Sequence, residues 1–145
     1  MTHGASVKKR KDPRHRAREA ALQILYQWEI GKTDVAHATA TFFNLQWPDA
    51  DEPPEELRQF AATLARDTVE RLPAIDPLIA GTGMAVIDRL ILRMAICELT
   101  RGADTPHAVV INEALELART FSTEDAVKFI NGMLDAIRKK LDAKS

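Results

Sequence analysis

Seven cations stand among the first eighteen residues: Lys8, Lys9, Arg10, Lys11, Arg14, Arg16 and Arg18, opposed there only by Asp12. The whole chain has a net charge of −1, so a basic end with an excess of six positive charges leads into a body with seven excess negative ones. Lysines and arginines gathered this way neutralise phosphates and release counterions, so the pattern points to a polyanion bound locally. Residues 1–12 read as a basic, flexible arm. Arg14, Arg16 and Arg18 fall where an amphipathic helix begins, which would present them from an ordered surface.

Other side chains suit nucleic-acid contact. Tyr26 lies off the apolar face of the first helix and is a stacking candidate, whereas Trp28 fits the core. Lys128 adjoins Phe129 in the last helix; Phe129 fits the apolar stripe, and at the stripe's edge it would stack on a base beside the lysine. Asn131-Gly132 interrupts that helix, which points to close approach by another helix or by a ligand. Glu113 and Glu116 read as a solvated acidic face rather than a catalytic pair.

Enzyme signatures are missing. There is no phosphate-binding Gly-Lys-Ser/Thr loop, and Gly81-Thr82-Gly83 is too short for a dinucleotide fingerprint. His3, His15, His37 and His107 are scattered, with no metal spacing. Cys97 is the one cysteine, so no internal disulfide forms and a reducing cytoplasm fits. No apolar run approaches the roughly 20 residues of a membrane span, and no secretory signal is evident.

Helical periodicity runs throughout and the expected class is all-α. Pro13 suits the first turn of a helix over about 13–30, with Ala17, Ala21, Ile24, Leu25 and Trp28 on its apolar face and Gly31 as its stop. Asp34 caps a short second helix through Phe42 and Phe43. Gln46–Pro54 is an acidic, proline-rich connector. A third helix runs from about Glu55 to Leu72, buries Leu57, Phe60, Ala61, Leu64 and Leu72, and is stopped or bent by Pro73. Asp76-Pro77 starts another short helix. Ile87–Leu99 (IDRLILRMAICEL) is apolar on almost every side and belongs at the centre, with Asp88 as a plausible N-cap. Thr105-Pro106 would cap a helix over His107–Phe121 that buries Val110, Ala114, Leu117 and Phe121. Ser122 with Asp125 resembles a capping box for the last helix.

Three segments carry a resemblance to a known family. RHRAREAALQILYQWE (Arg14–Glu29), IDRLILRMAICEL (Ile87–Leu99) and TPHAVVINEALELARTFSTEDAVKFINGMLD (Thr105–Asp135) resemble, in order and spacing, the transcription antitermination factor NusB family. The resemblance covers about residues 13–141. It implies an all-α fold of about seven helices in two packed helical subdomains, one domain over 13–145. It implies a non-enzymatic, bacterial, cytoplasmic protein with no cofactor. Such a protein binds the single-stranded boxA element of nascent ribosomal RNA together with a small-subunit ribosomal protein, NusE. Other Nus factors and RNA polymerase complete the antitermination complex. Carried over position by position, the RNA-facing residues are Arg14, His15 (where relatives often have another arginine), Arg16, Arg18, Tyr26, Lys128 and Phe129. Asp88, His107 and Glu113 match positions facing the ribosomal protein. A homodimer is compatible with the pattern.

Two other classes compete. Similar domains precede the catalytic domains of some rRNA cytosine methyltransferases, so a stand-alone RNA-binding scaffold related to those is the alternative; a cofactor-binding domain is not expected within these 145 residues. A helix-turn-helix DNA regulator would use the turn at Phe121–Thr123, although few base-reading side chains follow it.

Overall fold

The computed structural model describes residues 12–143 apart from 80, 82, 103 and 104. The basic arm, except Asp12, lies outside the described residues. Proline and an acidic cap start the first helix, α1 (Pro13–Gly31): the Asp12 carboxylate accepts the Arg14 amide at 2.8 Å, and Pro13 occupies a position whose missing N–H costs nothing. Gly31 is not the stop expected of it. The left-handed residue is Lys32, with φ of 53°.

Asp34 caps α2 (Val35–Thr41) by accepting the His37 amide. This helix widens into a π-helical turn over Phe42–Gln46 that buries Phe42 and Phe43. The connector leads to α3 (Glu55–Glu70), shorter than expected at its C-terminal end. Pro73 does not bend α3; it sits in the first turn of the separate α4 (Leu72–Ile75), followed by a 3-10 turn at Asp76–Leu78. Leu72 itself is only half-buried. Then come α5 (Val86–Thr100), α6 (His107–Phe121) and α7 (Glu124–Ala143).

Three caps differ from expectation. Ala85, not Asp88, precedes α5, and Asp88 lies in the first turn, where it accepts the Ser122 hydroxyl. Ser122 is therefore engaged elsewhere, and Thr123 caps α7 by accepting the Ala126 amide at 3.0 Å. Pro106 is the N-cap of α6 and no side chain caps it, so Thr105 does not.

Seven α-helices form two groups among the described residues. α1, α2 and α3 pack on one another; α6 and α7 form a hairpin; α5 lies between and touches both groups. Nine of its fifteen residues are buried, because it is covered from two sides. Buried side chains from both groups join in one continuous apolar cluster. Arg93 on α5 ties the end of α1 to the turn that precedes α5: its guanidinium grips Asp76 at 2.9 and 3.0 Å and reaches Glu29 at 2.9 Å. Burial disfavours the Arg93 charge, but the hydrogen bonds and field of Asp76, aided by Glu29, hold its pKa above the ordinary value.

Cys97 is fully buried on α5. Desolvation pushes its thiol pKa up, against a smaller opposing pull from the Thr68 hydroxyl. A thiol reagent at neutral pH should therefore label Cys97 only as fast as the protein opens, and at full speed in denaturant. Immediate labelling of the native protein would place Cys97 at the surface.

Candidate nucleic-acid interface

The first turn of α1 and the aromatic residues below it build a cation-rich face. Arg14 lies 5.1 Å from the centroid of the Phe60 ring on α3. Arg16 lies 4.9 Å over the Trp47 ring and donates to Asp49 at 2.6 Å. Arg58 covers Phe43 at 5.2 Å. The Asp12 cap sits on the positive end of the α1 dipole, so the charge of this face comes from the arginines. Aromatic faces hold the guanidinium planes while Arg14 stays exposed.

Arg18 corrects the expectation that all three arginines are presented to solvent. It is 3% exposed. Its Nε and Nη2 each donate to Glu98 at 2.8 Å, its Nη1 reaches Glu113 at 3.3 Å, and its guanidinium lies 5.1 Å from the Phe60 ring centroid. Desolvation opposes the charge, yet Glu98 and then Glu113 outweigh it and keep the Arg18 pKa above its usual value. The pairing leaves this guanidinium no open side for phosphate. Glu113 is likewise no solvated acid: it receives Arg18 and lies 3.0 Å from His15 Nδ1, while His15 Nε2 lies 3.4 Å from Glu19. Its partner Glu116 pairs with Arg119.

Two expected core aromatics are exposed. Phe129 is 45% exposed beside exposed Lys128, and Phe121 is 37% exposed. Phe121 lines a shallow cavity of about 280 Å³ with Leu22, Gln23, Tyr26, Gln27 and Ile87. Tyr26 is thus exposed, as its position on the helix predicts, and shares this cavity with the neighbour of Asp88. Gly132 is not a close helix contact: a Cβ there would meet nothing within 4 Å.

The residues matched to the ribosomal protein do not form one patch. His107 begins α6 near Asp142, at 3.9 Å, whereas Asp88 is bonded to Ser122 just past its other end. Fourteen residues of helix separate those ends by about 21 Å. Glu113 faces the arginine end of α1. Trp47, Asp49 and Phe60 were missed as parts of the cationic face. The sequence signal was present in the unusual QWPDADEPP connector, but nothing local says which helix it covers.

Fold and face together define the class: an all-α protein of two helical groups about a central helix, with guanidinium and aromatic groups concentrated at one end. The model of the NusB family matches residues 15–139. The transcription antitermination protein NusB of Solibacter usitatus (strain Ellin6076) is 44% identical over 135 residues, 88% of this chain and 90% of the relative. That of Mannheimia succiniciproducens is 40% identical over 95% of this chain and 97% of its own. Among solved structures, T. maritima NusB is 32% identical, with a TM-score of 0.76 over 90% of this chain and 93% of that one. A chain from the complex of antitermination factors NusB and NusE with double-stranded RNA has a TM-score of 0.76 at 21% identity, a likeness of fold, over 90% of this chain and 99% of that one. The chain belongs to the NusB family.

Removing one partner of the buried pair should be costly. Glu98→Ala is expected to lower unfolding free energy by about 3 kcal/mol, because buried Arg18 loses its two shorter hydrogen bonds and keeps only Glu113; urea titration measures it. Arg18→Ala should likewise cost stability. If both variants unfold at the wild-type midpoint, the pair does not hold the helices. Gly132→Ala should stabilise α7 by about 1 kcal/mol, since the site is open and alanine favours helix. A loss of ligand affinity despite that gain would show that the glycine serves close approach by a ligand.

Proposed function

We propose that this protein is a non-enzymatic transcription antitermination factor that binds boxA-type single-stranded RNA together with the small-subunit ribosomal protein NusE. The observation that carries the reading is the cation–aromatic face at the start of α1, in a chain of this family. Arg14 and Arg16 supply phosphate contacts, and Lys128 with exposed Phe129 supplies a second contact of charge and π-face. Arg18 acts as scaffold, and His15 is spent on Glu19 and Glu113.

The ribosomal protein docks at the other end of α1. There Tyr26, Ile87 and Phe121 line an apolar cavity, and Asp88 beside it offers charge to a basic partner. In this reading Tyr26 serves the partner more than the RNA. His107 and Glu113 are left outside this patch by their positions on α6. Two weak contacts held side by side make the second intramolecular, so RNA and partner bind cooperatively. The complex works in the cytoplasm with RNA polymerase and other Nus factors, and a homodimer would compete for the same surfaces.

The test is binding of a boxA strand, a scrambled strand and a duplex, with and without NusE, across salt. Preference for boxA that strengthens with NusE is expected. Arg14→Ala and Arg16→Ala should each weaken binding and reduce the salt slope by about 1. Equal binding to all three nucleic acids, indifferent to NusE, would overturn the reading.

A further inference from the structure

The connector between the π-helical turn and α3 folds onto Arg16. Trp47 is anchored: its indole N–H donates to the Asp51 carbonyl at 2.9 Å, and its ring packs edge-on to Phe42 and tilted against Phe43. Arg16 lies over this fixed indole and reaches Asp49, which follows Trp47 by two residues. The same segment thus supplies both a platform for the guanidinium and a carboxylate that neutralises it.

The two contacts differ in exchangeability. Arg16 and Asp49 are 32% and 46% exposed. An ion pair that open is worth at most about 1 kcal/mol. A phosphodiester presents the same anionic oxygens to the guanidinium and brings further contacts with it, so it can replace the carboxylate. The indole is fixed by its contacts with Phe42 and Phe43, so its contact with the guanidinium needs no rearrangement. Once Asp49 swings out, the guanidinium held over the indole offers a planar face of the kind on which an unpaired base rests. Arg14 on Phe60, two residues away and turned to the other side of the same helix, is a separate contact.

We propose that Trp47, Arg16 and Asp49 form a gated nucleotide subsite: a phosphate of single-stranded RNA displaces Asp49 from Arg16, and the adjoining base stacks on the Trp47–Arg16 platform. The proposal rests on the RNA reading above and adds a site to it. Asp49 makes the subsite selective, because a polyanion without a free base gains only the exchange of one anion for another. A duplex, whose bases are already stacked, is such a ligand.

The experiment measures affinity for a short boxA-containing single strand and for its duplex, using the full chain with NusE present. Asp49→Asn is expected to tighten single-strand binding about three- to fivefold, the worth of an exposed pair. Trp47→Leu, which keeps apolar bulk but removes the π-face, should weaken it about tenfold, with helicity checked by circular dichroism. In a Trp28→Phe chain, whose one remaining tryptophan is Trp47, saturating single strand should quench the emission and the duplex should not. RNA binding that leaves Trp47 emission unchanged and is indifferent to Asp49→Asn overturns the subsite while leaving the proposed function intact. Failure of the wild-type protein with NusE to bind the single strand overturns both.

Discussion

The buried contact between Arg18 and Glu98 is the constraint around which the helices are arranged. Placing two charges in the interior costs several kcal/mol each in lost hydration. That cost is offset only if the charges meet and their donors find acceptors, and here three of the guanidinium's donors do. Two parallel hydrogen bonds join the guanidinium to Glu98, a third reaches Glu113, and Phe60 covers the flat face. These partners come from α5, α6 and α3, so one side chain of α1 fixes the angle and register of that helix against both groups. A hydrophobic isostere could be as stable, but it would not demand one register.

That register decides what the neighbouring arginines can do. Arg14 lies one turn before Arg18 on the same side of α1, so it rises along the same Phe60 ring into solvent. Arg16 is turned toward the opposite side and meets the connector instead. The three residues read as one basic cluster in the sequence, yet they have three environments: interior pair, aromatic shelf and exposed ion pair. Charge count alone overstates the phosphate-binding surface, because helical geometry assigns one member to the core.

Much of this was legible. The extents of α1, α5 and α6 follow to within a residue or so from proline and apolar spacing, and the central place of α5 follows from its all-round hydrophobicity. Arg18 was also legible in principle: it shares a face with Leu22 and Leu25, at helical spacings of four and three, both fully buried. Glu98, the one carboxylate between Leu90 and Leu99, required a cation wherever it was buried. What the sequence could not supply was the pairing, which links residues eighty positions apart. The exposure of Phe121 and Phe129 was hidden for a similar reason. Periodicity says which residues share a face but not how far the neighbouring helix extends to cover it. The caps at Ser122 and Asp88 failed because each side chain had a distant partner competing with its local amide.

Three arginines that shape this end of the molecule and its centre are met by the chain's own carboxylates: Arg18 by Glu98 and Glu113, Arg93 by Asp76 and Glu29, Arg16 by Asp49. What separates scaffold from binding site is therefore exposure rather than charge. Interior pairs cannot exchange partners without leaving a bare ion in low dielectric, so they hold shape at any salt concentration compatible with folding. An exposed pair is already half-solvated, and the cost of swapping its anion is small. An acidic body carrying a basic end can then remain self-neutralised until a ligand with denser negative charge arrives. In the proposed reading, affinity reflects only those pairs that open to solvent, and Arg14, held by a ring instead of a carboxylate, needs no exchange at all.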